Sequence, residues 1–453
     1  MIIELGSDNH PETVLGVLGK RGAGAAIFKY PFSADYLPLR PTQQLVGAFV
    51  IVNAENVFGL VSDNVRCAQQ WCADHRLSIT TLAEFATALG APFFNLTEPV
   101  ALEPVGIDKP WGQEIWYTGI EARGQSRVSD GIHSIPLPWL LSLAPQRLLA
   151  NSGSQINLLK ILDPLPDAAY GDLYFELHEK KQEVYVVAAV NRAAWPDGIG
   201  AIRFGFNPEL RAQYKTDEDF KSAYRTAVLA YEQVRRALDQ LIDGKRVAAG
   251  RALGEPVPVD TLRQWQQSLP PELVRQEQSL RADMNRFTAL RPLRVGDVVK
   301  VPRLTPHALQ HGVRTVEFQT PVYERKILSF GQKVLTQDHW DTAAAIEIMT
   351  LDPPVDDDFE ELGSGDGWRL DRIVAFADFQ VRRLSLGAAR HWQLPCTGNY
   401  GLVMVVVGQV RCGGHTMGAE SAVLAPAGRR PLSILNDGLT TAVVLIAEPV
   451  SGP

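Results

Sequence analysis

Within Gly171–Glu183, which reads GDLYFELHEKKQE, three side chains have the types and spacing to share one metal ion. Glu176 and His178 are two residues apart, so in a β-strand they project from the same face. Glu183 follows five residues after His178, past a short turn and at the start of the apolar strand Val184–Val190. A carboxylate, an imidazole and a second carboxylate make a starting set for a divalent cation. The fourth ligand is expected from Val295–His307, VGDVVKVPRLTPH, which reads as strand, turn and then His307. Either histidine alone is more often structural than ligating. Together, in this order and with two carboxylates, they favour a metal.

The elements that must position these groups read mostly as strands. Ile156–Leu162, INLLKIL, is an apolar strand carrying one lysine, Lys160. Burying a lysine is costly unless its ammonium is paired or solvated. Gly312–Phe330 places Glu317 and Gln319 on one strand face and Arg325 two residues after Tyr323. Between the two ligand segments lies a helical insertion, about residues 208–290. Thr216 reads as its N-cap, with Asp219 three residues on. Phe220, Tyr224, Ala227, Tyr231, Val234, Leu238 and Leu241 then repeat at helical spacing, a stripe that reads as packing core. A Pro-rich break at Glu255–Pro258 leads to a second helical stretch, Pro271–Leu290.

At 453 residues the chain exceeds one hydrophobic core and is expected to hold several domains. Residues 1–100 read as a small α/β module without a Gly-rich phosphate loop: Leu45–Val52 a buried strand, Asp63–His75 a helix, Leu77–Thr81 a short strand, Leu82–Leu89 a helix. Residues 101–350 hold the ligand segments. An acidic linker, Asp352–Glu361, sets off a last strand-rich domain, residues 365–453. There the turn Pro426–Pro431 ends in proline where a ligand would be needed, and His391 has no acid four or five residues on, so this domain is expected to be metal-free. The net charge of −7 offers no basic field for nucleic acid or an anionic membrane. No apolar run approaches the roughly 20 residues of a bilayer helix, and the first residues, MIIELGSDNHPE, do not read as a secretion signal. Four cysteines suggest no disulfide framework. The expectation is a soluble cytoplasmic protein, with a homo-oligomer left open.

The two ligand segments resemble the paired motifs of the cupin superfamily. Glu176-Leu177-His178, four residues and Glu183 stand where that superfamily has His-x-His and Glu. Gly296, five residues and Pro302-Arg303-Leu304-Thr305-Pro306-His307 stand where it has Gly, five residues and Pro-x-Gly-x-x-His. More of the chain, about Pro104–Ile348, resembles the class I, cupin-type mannose-6-phosphate isomerases. The stretches are Lys109-Pro110-Trp111-Gly112, Asn157–Leu162, the ligand segment, Ile202–Asn207, the helical insertion, the His307 turn and Glu317–Arg325. The resemblance implies a mainly β fold of two tandem cupin barrels (double-stranded β-helices, or jelly rolls) with the helical insertion; residues 1–100, the α/β module, lie outside it. It implies one divalent metal ion, zinc first with manganese or iron as alternatives, held by Glu176, His178, Glu183 and His307.

The same resemblance implies an aldose–ketose isomerase that moves a proton between C1 and C2 through an enediol. Arg325 matches the family's active-site arginine, Lys181 a lysine two residues before the ligand glutamate, and Lys160 a lysine on the phosphate side. Lys181 and Glu317 are candidates to carry the proton; Lys160 and Tyr174 are candidates to bind substrate. Three departures stand out. Glu176 replaces a glutamine, the loop from His178 to Glu183 is short, and Leu173-Tyr174-Phe175-Glu176 lacks the serine thought to touch substrate phosphate. The substrate is therefore expected to be a hexose phosphate or a related unphosphorylated sugar. Rival readings are another cupin enzyme, such as a sugar epimerase, and a catalytically silent sugar-binding regulator. His311 reads as a turn or rim residue.

Overall fold

The computed structural model describes residues 2–6, 9–150, 155–355 and 358–450. The fold is mainly β, built from largely antiparallel sheets with helices added at several places along the chain. Contacts divide the chain into two compact units. The first comprises Met1–Val105, Trp116–Lys160 and Asp358–Pro453; the second comprises Gly106–Ile115 and Ile161–Asp357.

In the first unit, the strand Gly24–Ser33 pairs with Ile2–Glu4 in parallel and with Thr42–Asn53 antiparallel. Asn56–Ser62 and Phe93–Asn95 complete a five-stranded sheet. Leu45–Ile51 is an unbroken buried run because both faces of its strand are covered. Trp71 and Phe85, from the helices Val65–Asp74 and Leu82–Leu89, pack on one side. On the other, Leu143 of the helix Leu137–Leu143 approaches the cradle left by Gly47 and Gly59. The short strand expected at Leu77–Thr81 is absent. Thr81 Oγ1 donates to the Arg76 carbonyl at 2.8 Å and accepts the Ser78 N–H at 3.0 Å, so these backbone groups close a turn instead of joining a ladder. The same unit carries a nine-stranded and a four-stranded sheet. Leu384, Val403 and Val444 of the former share a core with Val410, Leu432 and Ile434 of the latter.

The second unit holds two sheets. One runs in the order Val298–Val301, Glu183–Val190, Val313–Gln319, Leu158–Pro164, Gly112–Trp116, Val105–Lys109. The other runs Thr288–Leu293, Gly200–Phe206, His307–Leu309, Phe175–Leu177, Lys326–Ser329. Tyr185, Val187 and Val299 from the first sheet and Ile202, Leu293, Leu309 and Ile327 from the second belong to one core. Burying such side chains contributes about 1.5–3 kcal/mol each relative to leaving them exposed.

The helical insertion packs into that same core. Its long helix, Asp217–Ala248, starts where Thr216 accepts the Asp219 N–H at 3.1 Å, and Asp217, Glu218 and Asp219 place negative charge in its first turn. Phe220, Tyr224, Val228, Tyr231 and Leu238 are buried, whereas Leu241, expected on the same stripe, is 42% exposed. The drift of a 3.6-residue repeat over a helix this long turns Leu241 away from the sheet. Phe206 and Phe287, at the ends of flanking strands, lie 5.5 Å from the Phe220 ring. The last helix, Pro271–Asn285, ends earlier than expected, and Thr288–Leu293 is already strand. No helix among the described residues is long and apolar enough to cross a membrane.

Candidate metal centre

Strand pairing explains why distant residues converge. Glu176, on Phe175–Leu177, lies directly opposite His307, the first residue of His307–Leu309. Directly paired residues present their side chains on one face. His178 follows Glu176 by two and stays on that face. In the other sheet, Glu183 opens its strand opposite Gln319, and Tyr185 sits opposite Glu317, so these four also share a face. The His178 and His307 rings come to 5.2 Å between centroids. Donor atoms of Glu176, His178 and His307 lie within 4.8 Å of one another. Glu183 Oε2 is 3.2 Å from His307 Nε2, and its Oε1 is 3.5 Å from His178 Nε2. A backbone bond ties the two imidazole-bearing segments, since the Leu304 N–H donates to the His178 carbonyl at 2.7 Å. Leu304 has φ +64°, a left-handed conformation more usual for glycine.

Hydrogen bonds set the tautomers. His178 Nδ1 donates to the Glu324 carbonyl at 2.9 Å, and His307 Nδ1 donates to the Thr305 carbonyl at 3.0 Å. In the neutral rings both Nε2 atoms then carry lone pairs, the orientation that outer-shell carbonyls give to metal-ligating histidines. Burial, and secondly the Lys181 ammonium, pushes the His178 imidazole below its ordinary value and keeps it neutral. Two imidazole Nε2 atoms thus face one carboxylate at 3.2–3.5 Å, which is favourable only with a cation or a proton between them. His178 Nε2 and Glu176 Oε2 are buried and have no hydrogen-bond partner among the described residues. The donor set, two imidazoles and two carboxylates around buried and incompletely satisfied atoms, fits a divalent ion.

Charge around the cluster is paired. Lys181 Nζ lies 2.5 Å from Glu183 Oε1, with side chains 8% and 2% exposed. Burial alone would raise the Glu183 carboxyl, but the neighbouring positive charge, Lys181 first, outweighs it and holds the group well below the usual carboxylate range. Tyr185 donates its hydroxyl to Glu183 Oε2 at 2.7 Å. Burial first, and then the Glu183 and Glu317 carboxylates, push that phenol well above its ordinary value. Arg325 Nε stands 3.8 Å from Glu176 Oε2, and its guanidinium lies 4.5 Å above the Tyr174 ring. Arg325 Nη2 also donates to Thr336 Oγ1 at 2.8 Å. Burial pushes the Tyr174 phenol up to about 12. Near this stack, Lys109 Nζ pairs with Glu114 Oε2 at 3.4 Å.

Other expected site residues fall as follows. Glu317 is buried on the face shared with Tyr185 and Glu183. Lys160 is buried on Leu158–Pro164, where the first unit's share of that strand ends. His311 lies outside the cluster, as a turn residue: its Nδ1 donates to Asp172 Oδ1 at 2.7 Å and its ring stacks 4.8 Å from Trp195. Sequence reading missed Tyr185 and Glu324. Tyr185 was within reach, because the period of two that links Glu176 to His178 also links Glu183 to Tyr185. Glu324 carries no such local signal.

No model of a known protein family matches the chain, and no curated protein matches it by sequence. Solved structures do. A Bacillus subtilis mannose 6-phosphate isomerase superposes with a TM-score of 0.51 at 15% identity, covering 77% of this chain and 99% of that one. The apo mannose 6-phosphate isomerase of Salmonella typhimurium gives 0.52 at 13% identity, covering 77% and 98%. A zinc-bound mannose 6-phosphate isomerase gives 0.53 at 11% identity, covering 77% and 99%. At these identities the likeness is one of architecture: the chain has the fold of the mannose 6-phosphate isomerases.

Proposed function

We propose that this protein is a metal-dependent aldose–ketose isomerase acting on a hexose phosphate or a related unphosphorylated sugar through an enediol. The observation that carries the reading is the pair of imidazoles, each locked by a backbone carbonyl so that its Nε2 meets the Glu183 carboxylate beside Glu176. In this reading Glu176, His178, Glu183 and His307 hold the ion, zinc first with manganese or iron as alternatives. When bound, the ion supplies Lewis acidity to the sugar oxygens and lowers the cost of the charge that develops between C1 and C2.

The chain's own residues supply the rest. Arg325 keeps a fixed positive charge at Glu176, braced by Tyr174 and Thr336, and offers it to the oxygen on which charge develops. Its guanidinium does not lose its proton at working pH, so it stabilises charge and carries no proton. Lys181, held against Glu183, is placed to hand a proton to a sugar oxygen, and Glu317 offers a buried carboxylate to accept the carbon-bound proton. Lys160 and Tyr174 complete the substrate-binding set.

The domain reading goes with this function. Residues 101–350 form the catalytic cupin barrel with its helical insertion, residues 365–453 a second, metal-free cupin barrel, and residues 1–100 a small α/β module for packing or dimerisation. Supporting a metal-free second barrel, its motif-like turn carries Arg429, which is buried and donates to the carbonyls of Asn399 at 2.9 Å and Pro395 at 3.0 Å. The test of function is a panel of aldoses, with and without phosphate, followed by ketose detection on metal-loaded protein. Conversion abolished by chelation and restored by metal supports the proposal. Metal-loaded protein that binds sugars without converting any of them overturns it in favour of a sugar-binding regulator.

A further inference from the structure

Glu324 belongs to no ligand set, yet it touches the centre from two sides. Its main-chain carbonyl accepts the Nδ1 proton of His178 at 2.9 Å. Its carboxylate Oε1 accepts the backbone N–H of Lys180 at 2.9 Å and of Lys181 at 3.2 Å. Those amides lie in residues 178–182, a segment outside any strand or helix. Backbone donors there need an acceptor supplied by another part of the chain. Bonds to an ionised acceptor are roughly twice as strong as neutral ones. The next residue is Arg325, which stands 3.8 Å from Glu176.

We propose that Glu324 is a positioning residue that clamps the turn between His178 and Glu183 onto the segment carrying Arg325. Resting on the metal-dependent reading above, it fixes three things at once: the face His178 presents, the reach of Lys181 to Glu183, and the distance of Arg325 from Glu176. A group bonded only to solvent could be truncated without effect on the cluster. A clamp could not, because releasing two amides frees the backbone that carries Lys181 and aims Glu183.

The test compares Glu324→Ala with Glu324→Gln, which keeps an acceptor oxygen of the same reach. On chelator-treated protein, amide hydrogen exchange at Lys180 and Lys181 is expected to rise about tenfold or more in the alanine variant, as local opening becomes easier. Zinc affinity, read by competition with a chromophoric chelator, is expected to weaken about 10–100-fold in the alanine variant and to stay within about threefold in the glutamine variant, the range typical of outer-shell changes. Parental exchange and parental zinc affinity in Glu324→Ala would overturn the proposal, as would a glutamine variant as damaged as the alanine one. Should Glu324→Ala fail to fold, Glu324→Asp takes its place: one methylene shorter, it should lose the two amides that the glutamine variant keeps, and equal behaviour of the two overturns the clamp. A parent chain that binds no zinc sinks the metal-dependent reading, while the exchange measurement still decides the clamp.

Discussion

Glu183→Gln removes one charge from the centre while keeping the side chain's shape. The Lys181 ammonium then loses the carboxylate 2.5 Å away and keeps Gln319 Oε1 at 3.5 Å. With the Lys181 side chain only 8% exposed, water cannot take over the lost charge. Orphaning one member of a buried ion pair costs about 3–5 kcal/mol. The Tyr185 hydroxyl exchanges a charged acceptor for an amide oxygen, a loss of about 1 kcal/mol. Against this, an amide N–H can donate to an imidazole lone pair that now faces an anion, returning about 1 kcal/mol. The net expectation is a loss of about 3–5 kcal/mol, a large share of the roughly 5–15 kcal/mol that holds a typical protein folded. Adding Lys181→Met removes the orphan, and replacing both partners by uncharged groups of similar volume is often close to neutral, so the double variant should return to within about 1 kcal/mol of the parent. The assay is urea unfolding of chelator-treated proteins, followed by tryptophan fluorescence at one pH, with midpoints compared at unchanged slope. A single variant within about 1 kcal/mol of the parent, or a double variant no better than the single, would show that Lys181 and Glu183 are not the buried pair described here.

Two further outcomes follow from the geometry. Arg325→Ala should keep its metal but lose turnover on the order of 100-fold, the usual effect of removing one charge-stabilising donor; unchanged turnover would clear Arg325 of a role. The pH dependence rests on His178, whose imidazole is held below its ordinary 6.5 by burial and by Lys181. The stability that neutral His178 contributes is complete above 6.5 and is lost as the pH falls toward its lower folded value. The metal-free protein should therefore weaken as the pH falls below about 6.5, and His178→Gln should flatten that decline. An unchanged slope in the variant would place the acid-sensitive group elsewhere.

What the sequence could disclose divides along the range of the interactions. Glu176, His178 and Glu183 are legible because strand alternation and one short turn are local properties. His307 is legible because a glycine-led strand and a proline-bounded turn precede it, and Leu304 adopts in that turn the left-handed backbone expected of glycine. Long-range pairing was not legible. Nothing in Lys180, Lys181 or Glu324 taken separately says that two amides and a carboxylate meet across more than 140 residues. Nor does local pattern say that residues 116–160 group with the C-terminal strands. Leu77–Thr81 shows a third kind of limit. Its apolar and β-branched residues suit a strand, but the Ser78 and Thr81 hydroxyls offer the backbone closer partners and a turn forms.

The central claim, that two distant segments hold one cation between two imidazoles and two carboxylates, is tested most directly by counting metal. Elemental analysis of the purified parent chain, reloaded with zinc and desalted, should find about one ion per chain, and His307→Ala handled identically should retain almost none. Full occupancy in that variant, or an empty parent, would contradict the account.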